Sequence, residues 1–154
     1  MPASYYVLPV PAGMRARLAT NWLYLGLAAL IGSGLFSLLL VLARTPYVQQ
    51  WLPWVDMFHV ALVVHVDLSV LVWFVALGGV MWTLNGSERF AGMGWLAFGG
   101  ACVGTLLMSL AAFVGAPVPL MSNYIPVLDS PVFLSGLGVL GAGFALLEIG
   151  RAHV

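Results

Sequence analysis

Asp56-Met57-Phe58-His59-Val60-Ala61-Leu62-Val63-Val64-His65-Val66-Asp67-Leu68-Ser69-Val70-Leu71-Val72-Trp73-Phe74 is the stretch from which the architecture of this chain can be read. Its apolar residues are continuous rather than alternating, and the run goes on to Leu84. At about 1.5 Å per residue, a helix of that length crosses about 30 Å of hydrocarbon. A strand of a membrane barrel would alternate apolar and polar residues instead. Inside lipid a helix also satisfies its own backbone hydrogen bonds. The sequence therefore predicts a membrane-spanning helix over 58–84.

Working outward, three more apolar runs cover 21–43, 90–114 and 132–147. They are separated by Arg44-Thr45-Pro46, by Asn85-Gly86-Ser87-Glu88-Arg89, by Gly115-Ala116-Pro117 and by Asp129-Ser130-Pro131, all of them helix-breaking or polar. The expected fold is all-α, with four transmembrane helices and no internal repeat. Residues 1–20 carry the breakers Pro9, Pro11 and Gly13, the pair Tyr5-Tyr6, and then Arg15 and Arg17. With no early apolar core, this segment reads as a lead into the first span and not as a cleavable signal peptide.

Composition agrees. Of 154 residues, 62% are apolar and only 6% charged, and the mean hydropathy is +1.06. About a quarter of a soluble domain is charged, so a water-facing surface is excluded. The five basic residues, all Arg, balance five acids. A chain with no net charge has no basic footprint for nucleic acid. Cys102 is the single cysteine, which excludes an internal disulfide and a cysteine-based metal cluster. No Walker loop, Ser-His-Asp order or HExxH motif is present, so hydrolase and nucleotide chemistry have no support. With the N-terminus inside, Arg15, Arg17 and Arg89 are cytoplasmic and only Arg44 is outside, in line with the positive-inside rule. The loops 44–57 and 115–131 then lie on the outer side. Their Tyr47, Trp51, Trp54 and Tyr124 suit an interfacial belt.

The last seven residues, Glu148-Ile149-Gly150-Arg151-Ala152-His153-Val154, back-translate, apart from the first base, to the start of a widely used sequencing adapter that then gives a stop codon. The expectation is that native sequence ends near Leu147, that 148–154 is a non-native tail, and that the chain is the N-terminal piece of a longer protein. The plain alternative is a natural basic tail. Glu148, Arg151 and His153 therefore carry no functional argument.

Chemistry concentrates in the second span. An ionisable side chain inside a membrane costs about 2.5–3.5 kcal/mol on insertion scales and is a functional candidate by default. His59 and His65 stand about 120° apart on a helical wheel, so a straight helix cannot present both to one metal. His59 reads as an interfacial histidine. Asp67 lies about 200° from His65, on the opposite face. It is expected to pair with another helix, to line a hydrated path, or to be neutralised locally. The face of His65 continues as Ser69, Val72, Ala76, Gly79 and Thr83, all small. Two readings of that stripe stand side by side. It can floor a flat slot in which His65 ligates a haem iron, or it can be a helix–helix contact with His65 buried and hydrogen-bonded. Gly26, Ser33 and Ser37 in the first run, Gly100 and Gly104 in the third, and Gly136, Gly138, Gly141 and Gly143 in the fourth read as close-packing positions. Cys102 reads as a small core residue.

Residues 58–74 as quoted resemble the second transmembrane helix of subunit I of the haem–copper oxidase superfamily, which contains terminal oxidases and nitric oxide reductases. The segment Pro117-Val118-Pro119-Leu120-Met121-Ser122-Asn123-Tyr124-Ile125-Pro126-Val127-Leu128-Asp129 is similar to an outer loop of oxidase-like relatives. The resemblance covers about 21–147. It implies that His65 is one axial ligand of a low-spin haem, a half-site within this chain. It implies also that the second axial histidine, the copper ligands and the ligand of the second haem come from later helices. His59 has no counterpart role, and Asp67 departs from the best-known oxidases. The implied protein is an oxidoreductase of aerobic electron transport in a bacterial inner membrane. It would take electrons from cytochrome c or quinol, work with other respiratory-complex subunits, and reduce oxygen or nitric oxide; this piece alone is expected to be inactive. Two other classes compete. One is a small membrane anchor or transporter subunit with a proton or substrate path through His65 and Asp67. The other is a b-type cytochrome, which needs a second histidine on another helix, and none precedes residue 148 outside the second span.

Overall fold

The computed structural model describes residues 12–51, 56–87, 89, 91–121 and 125–151. Trp54, Tyr124, Tyr5, Tyr6 and His153 lie outside the described residues. Helix α1 covers Met14–Ala43, α2 Met57–Val66, α3 Trp73–Asn85, α4 Ala91–Ala111 and α5 Pro131–Arg151. A π-helical segment, Asp67–Val72, joins α2 to α3 without a break, so that Met57–Asn85 is one continuous span. Among the described residues four helices are thus long and apolar enough to cross a membrane. The chain is a polytopic α-helical membrane protein.

The helix ends follow from local chemistry. α1 begins seven residues before the apolar run, directly after Gly13, whose φ of 81° is a backbone state that glycine adopts freely. The polar start reads as lead in the sequence, but Arg15, Ala16 and Arg17 are good helix formers with nothing to stop them. α2 is capped by Asp56, whose carboxylate accepts from the His59 N–H. α4 ends at Ala111, three residues short of the apolar run, in a turn that reaches Gly115 at φ 73°. The loop that follows holds a short antiparallel ribbon of β1 (Val118–Leu120) and β2 (Val127–Asp129), in the register Val118 to Asp129 and Leu120 to Val127. The sequence assigns this segment to a loop without naming strands; the β-branched Val118 and Val127 favour the pairing. α5 starts with proline at its first position, where a missing N–H is harmless.

Two close helix pairs make the core. α4 lies against α5, and α1 lies against the α2–π–α3 span. In the first pair a Cβ on Gly104 would sit 2.6 Å from the Gly136 carbonyl oxygen and 2.7 Å from the Leu140 nitrogen, and one on Gly143 2.8 Å from the Ala97 carbonyl oxygen. Backbones touch there because neither helix carries a side chain at the crossing. The expected crowding of span four is split: Gly136 and Gly143 meet α4, whereas Gly138 and Gly141 face open space. Ser37 likewise stands off the contact and donates to the Gly34 carbonyl at 2.6 Å. Cys102 is half-buried. Overpacking of a closed contact costs about 1–3 kcal/mol. Gly104→Val should therefore lower the thermal unfolding midpoint followed by circular dichroism in detergent, while Gly138→Ala should leave it within a degree or two.

Candidate functional site

The small-residue face below His65 is packed against α1. Val72 is fully buried and Ala76 1% exposed. A Cβ on Gly79 would overlap the indole of Trp22, which is itself fully buried and meets Phe98 edge-on at 5.4 Å. One turn further along, a Cβ on Gly26 would touch the Trp73 ring at 3.0 Å and the Ala76 methyl at 3.3 Å. Of the two readings of this stripe, the fold realises the helix contact over Val72, Ala76 and Gly79. The slot of the other reading is closed by α1, with Trp22 over Gly79 and Gly26 against Ala76. A large aromatic on one helix has found the glycine of the other, a match that a single-helix pattern does not reveal.

His65 itself sits at the rim of that contact and is half-buried. Its Nδ1 lies 2.9 Å from the Ser33 carbonyl oxygen and 2.9 Å from Ser33 Oγ. A carbonyl oxygen can only accept, so Nδ1 carries the proton. Ser33 Oγ in turn donates to the His65 carbonyl at 3.0 Å, which leaves its lone pairs for Nδ1–H. Ser69 Oγ donates to the same His65 carbonyl at 2.8 Å. These hydroxyls attend the backbone at the point where the helical ladder changes to π register, a place where carbonyls lose their usual partner. In the neutral ring this tautomer leaves the lone pair on Nε2. An imidazole fixed through Nδ1–H on a backbone carbonyl is the arrangement that orients histidine ligands of metals. The residues here therefore suit one axial bond to a haem iron, made by His65 alone. Ser69 supports the backbone of that histidine, and Val72, Ala76 and Gly79 set the rotation of its helix against α1.

Asp67 is on the other side, as the wheel requires. It is 1% exposed, and neither carboxylate oxygen has a hydrogen-bond partner. It lines a groove of about 270 Å³ between the second span and α5. His59 is at the N-terminal end of α2, with Nδ1 2.7 Å from Asp56 Oδ1. The Arg44 guanidinium stacks 4.2 Å over the Phe58 ring beside it. The sequence reads His59 as interfacial; the structure shows it in the first turn of α2, half-exposed beside Asp56. At the opposite end the Arg15 guanidinium donates to the Gly86 carbonyl and ties the start of α1 to the end of α3. Among the described residues no three His, Cys, Asp or Glu side chains gather closely enough to hold a metal ion. The π segment and the Ser33 contact are the features that sequence reasoning misses. Ser33 was legible only as a small residue, and a π register has no short sequence signature.

Two curated relatives resemble the chain. An uncharacterized protein of Rickettsia prowazekii is 30% identical across 86% of this chain and 30% of its own length. An uncharacterized protein of Aquifex aeolicus is 30% identical across 81% of this chain and 31% of its own length. The chain spans less than a third of the length of either. No protein-family model matches it, and no solved structure does.

The Ser33–His65 contact is testable in isolation. Hydrogen bonds between membrane helices couple by about 0.6 kcal/mol on average and up to about 1.7 kcal/mol. A double-mutant cycle with Ser33→Ala and His65→Gln, read by unfolding in mixed micelles, should give a coupling energy near that average, because only the Oγ–Nδ1 contact needs both side chains; the Ser33 carbonyl survives the first change and the His65 carbonyl the second.

Proposed function

We propose that this chain is the first four helices of a haem–copper oxidase-like subunit I, and that His65 Nε2 is an axial ligand to its low-spin haem. The observation that carries the reading is the Nδ1 contact with the Ser33 carbonyl at 2.9 Å. With Nδ1–H engaged on that carbonyl, Nε2 is the one ring nitrogen left to bond a metal. The resemblance of residues 58–74 to the second helix of that superfamily supports the same residue for the same role. So does the length of the two bacterial relatives, which leaves room for the further helices that a second axial histidine and a copper centre require. When bound, the haem supplies one-electron chemistry between ferrous and ferric iron. Ser33 and α1 hold the imidazole at a fixed angle, and Trp22 keeps the helix from rotating. Oxygen or nitric oxide reduction, an electron donor such as cytochrome c or quinol, and the bacterial inner membrane belong to this proposal.

The test is spectroscopic. The full-length gene product should show a low-spin haem signal in optical and electron paramagnetic resonance spectra, and His65→Ala should abolish it. His59→Ala should leave it unchanged. A low-spin signal that survives His65→Ala contradicts the assignment.

A further inference from the structure

The groove between the second span and α5 has no part in haem ligation, since it opens on the face opposite to His65. It is long rather than deep. Its wall on the second span extends from Val66 through Val70, Phe74 and Val75 to Trp82. Asp67 and Trp82 stand fifteen residues apart, which makes the groove about 22 Å long. A volume of about 270 Å³ drawn out over that length is a slot one hydrocarbon chain wide, not a chamber for a compact ligand. Phe144 of α5 meets Trp82 at one end, with ring centroids 4.8 Å apart. The β1–β2 ribbon lies against α2, and Ile125, between its strands, borders the other end. The Trp82 ring lies back over Gly78, where a Cβ would meet it at 2.9 Å, so nothing rises from the floor there. Val70 and Phe74 are 48% and 65% exposed and form the open lip. The carboxylate of Asp67 is buried behind the wall, and the surface offered is almost wholly carbon.

We propose that this groove seats one fully extended acyl chain of a membrane phospholipid. The surroundings supply the occupant, because a span of this length and hydropathy stands among lipid chains. Position sets the direction of the fit. Hydrocarbon about 30 Å thick, centred on the middle of the span near Leu71, meets the headgroups about level with Trp82. The groove therefore starts at the interface on the Asn85 side, crosses the midplane and stops at Val66, still within hydrocarbon. The headgroup sits at the Trp82 end, and the chain runs past Phe144 and Phe74 towards Val66. Length gives the site its selectivity. An ordinary chain of that leaflet reaches about 15 Å, half the hydrocarbon thickness, and ends near Leu71. A chain held straight by the walls continues to the level of Asp67 and Val66, which matches the extended length of an octadecanoyl chain. Each further methylene that leaves the disordered bilayer for the slot packs against Val70, Phe74 and Val75.

The probe is a phosphatidylcholine whose octadecanoyl chain carries a diazirine at its methyl end, present as a trace component of phosphatidylcholine nanodiscs that hold the full chain. Labelled residues are located by mass spectrometry after illumination. Ile31 and Leu35 of α1 are the comparison: they are 68% and 59% exposed and lie at a similar depth, since Ser33 between them meets His65. Val66 and Val70 should be labelled at least about fourfold more than these two, the worth of one further buried methylene. Val70→Trp fills the slot from its open lip and should remove the difference. Phe74→Ala takes away the other half of the lip and should lower it, and it decides the matter if Val70→Trp alters helix content by circular dichroism. Labelling of Val66 and Val70 no stronger than that of Ile31 and Leu35 in the wild-type chain, or a preference that survives the deciding substitution, overturns the proposal.

Discussion

Ser33 and His65 form the clasp on which the rest of the arrangement depends. It joins α1 to the second span through the side chain and backbone of both residues: an N–H of the ring on a carbonyl, and a hydroxyl on the carbonyl of the other. In hydrocarbon there is no water to compete for these groups, so the geometry is held. Because Ser33 fixes one point of the helix and Trp22 over Gly79 fixes another two helical turns or more away, the second span cannot rotate. Every other placement follows. Val72 and Ala76 are turned inward, Phe74 outward, and Asp67 towards α5.

The π segment sharpens that division. It lies directly after the histidine and shifts the backbone phase between α2 and α3. The stretch with one ring-nitrogen lone pair on one side and one orphaned carboxyl on the other is therefore also the stretch where the helix departs from regular form. Local departures of this kind cost free energy and persist where the surroundings over-determine them. Here α1 does so on the His65 side. On the Asp67 side a groove borders the span, with the carboxylate itself buried behind its wall.

Much of the architecture was legible in the residues. Long continuous apolar runs between breakers located all four spans, because a helix in lipid must be both long and apolar. The glycines of α4 and α5 announced a close crossing, and the spacing of His65 and Asp67 put them on opposite faces. The errors share one cause: the sequence of a helix says which face is small but not what comes to fill it. The stripe from Ser69 to Gly79 fits a flat ligand as well as it fits a partner helix, and only the position of Trp22 separates the two. The same holds for Ser33, whose role depends on a histidine 32 positions away. Start and end points moved for local reasons, since α1 has good helix formers ahead of its apolar run and α4 meets a glycine turn before its own is exhausted.

The central claim is that the ring of His65 is protonated at Nδ1 and bare at Nε2. Nitrogen-15 magnetic resonance on histidine-labelled protein in lipid reads this directly, with His65→Gln used to assign the signal against the other histidines. The account predicts a protonated Nδ1 and a lone-pair-bearing Nε2 for His65. A proton on Nε2, with Nδ1 bare, would contradict it.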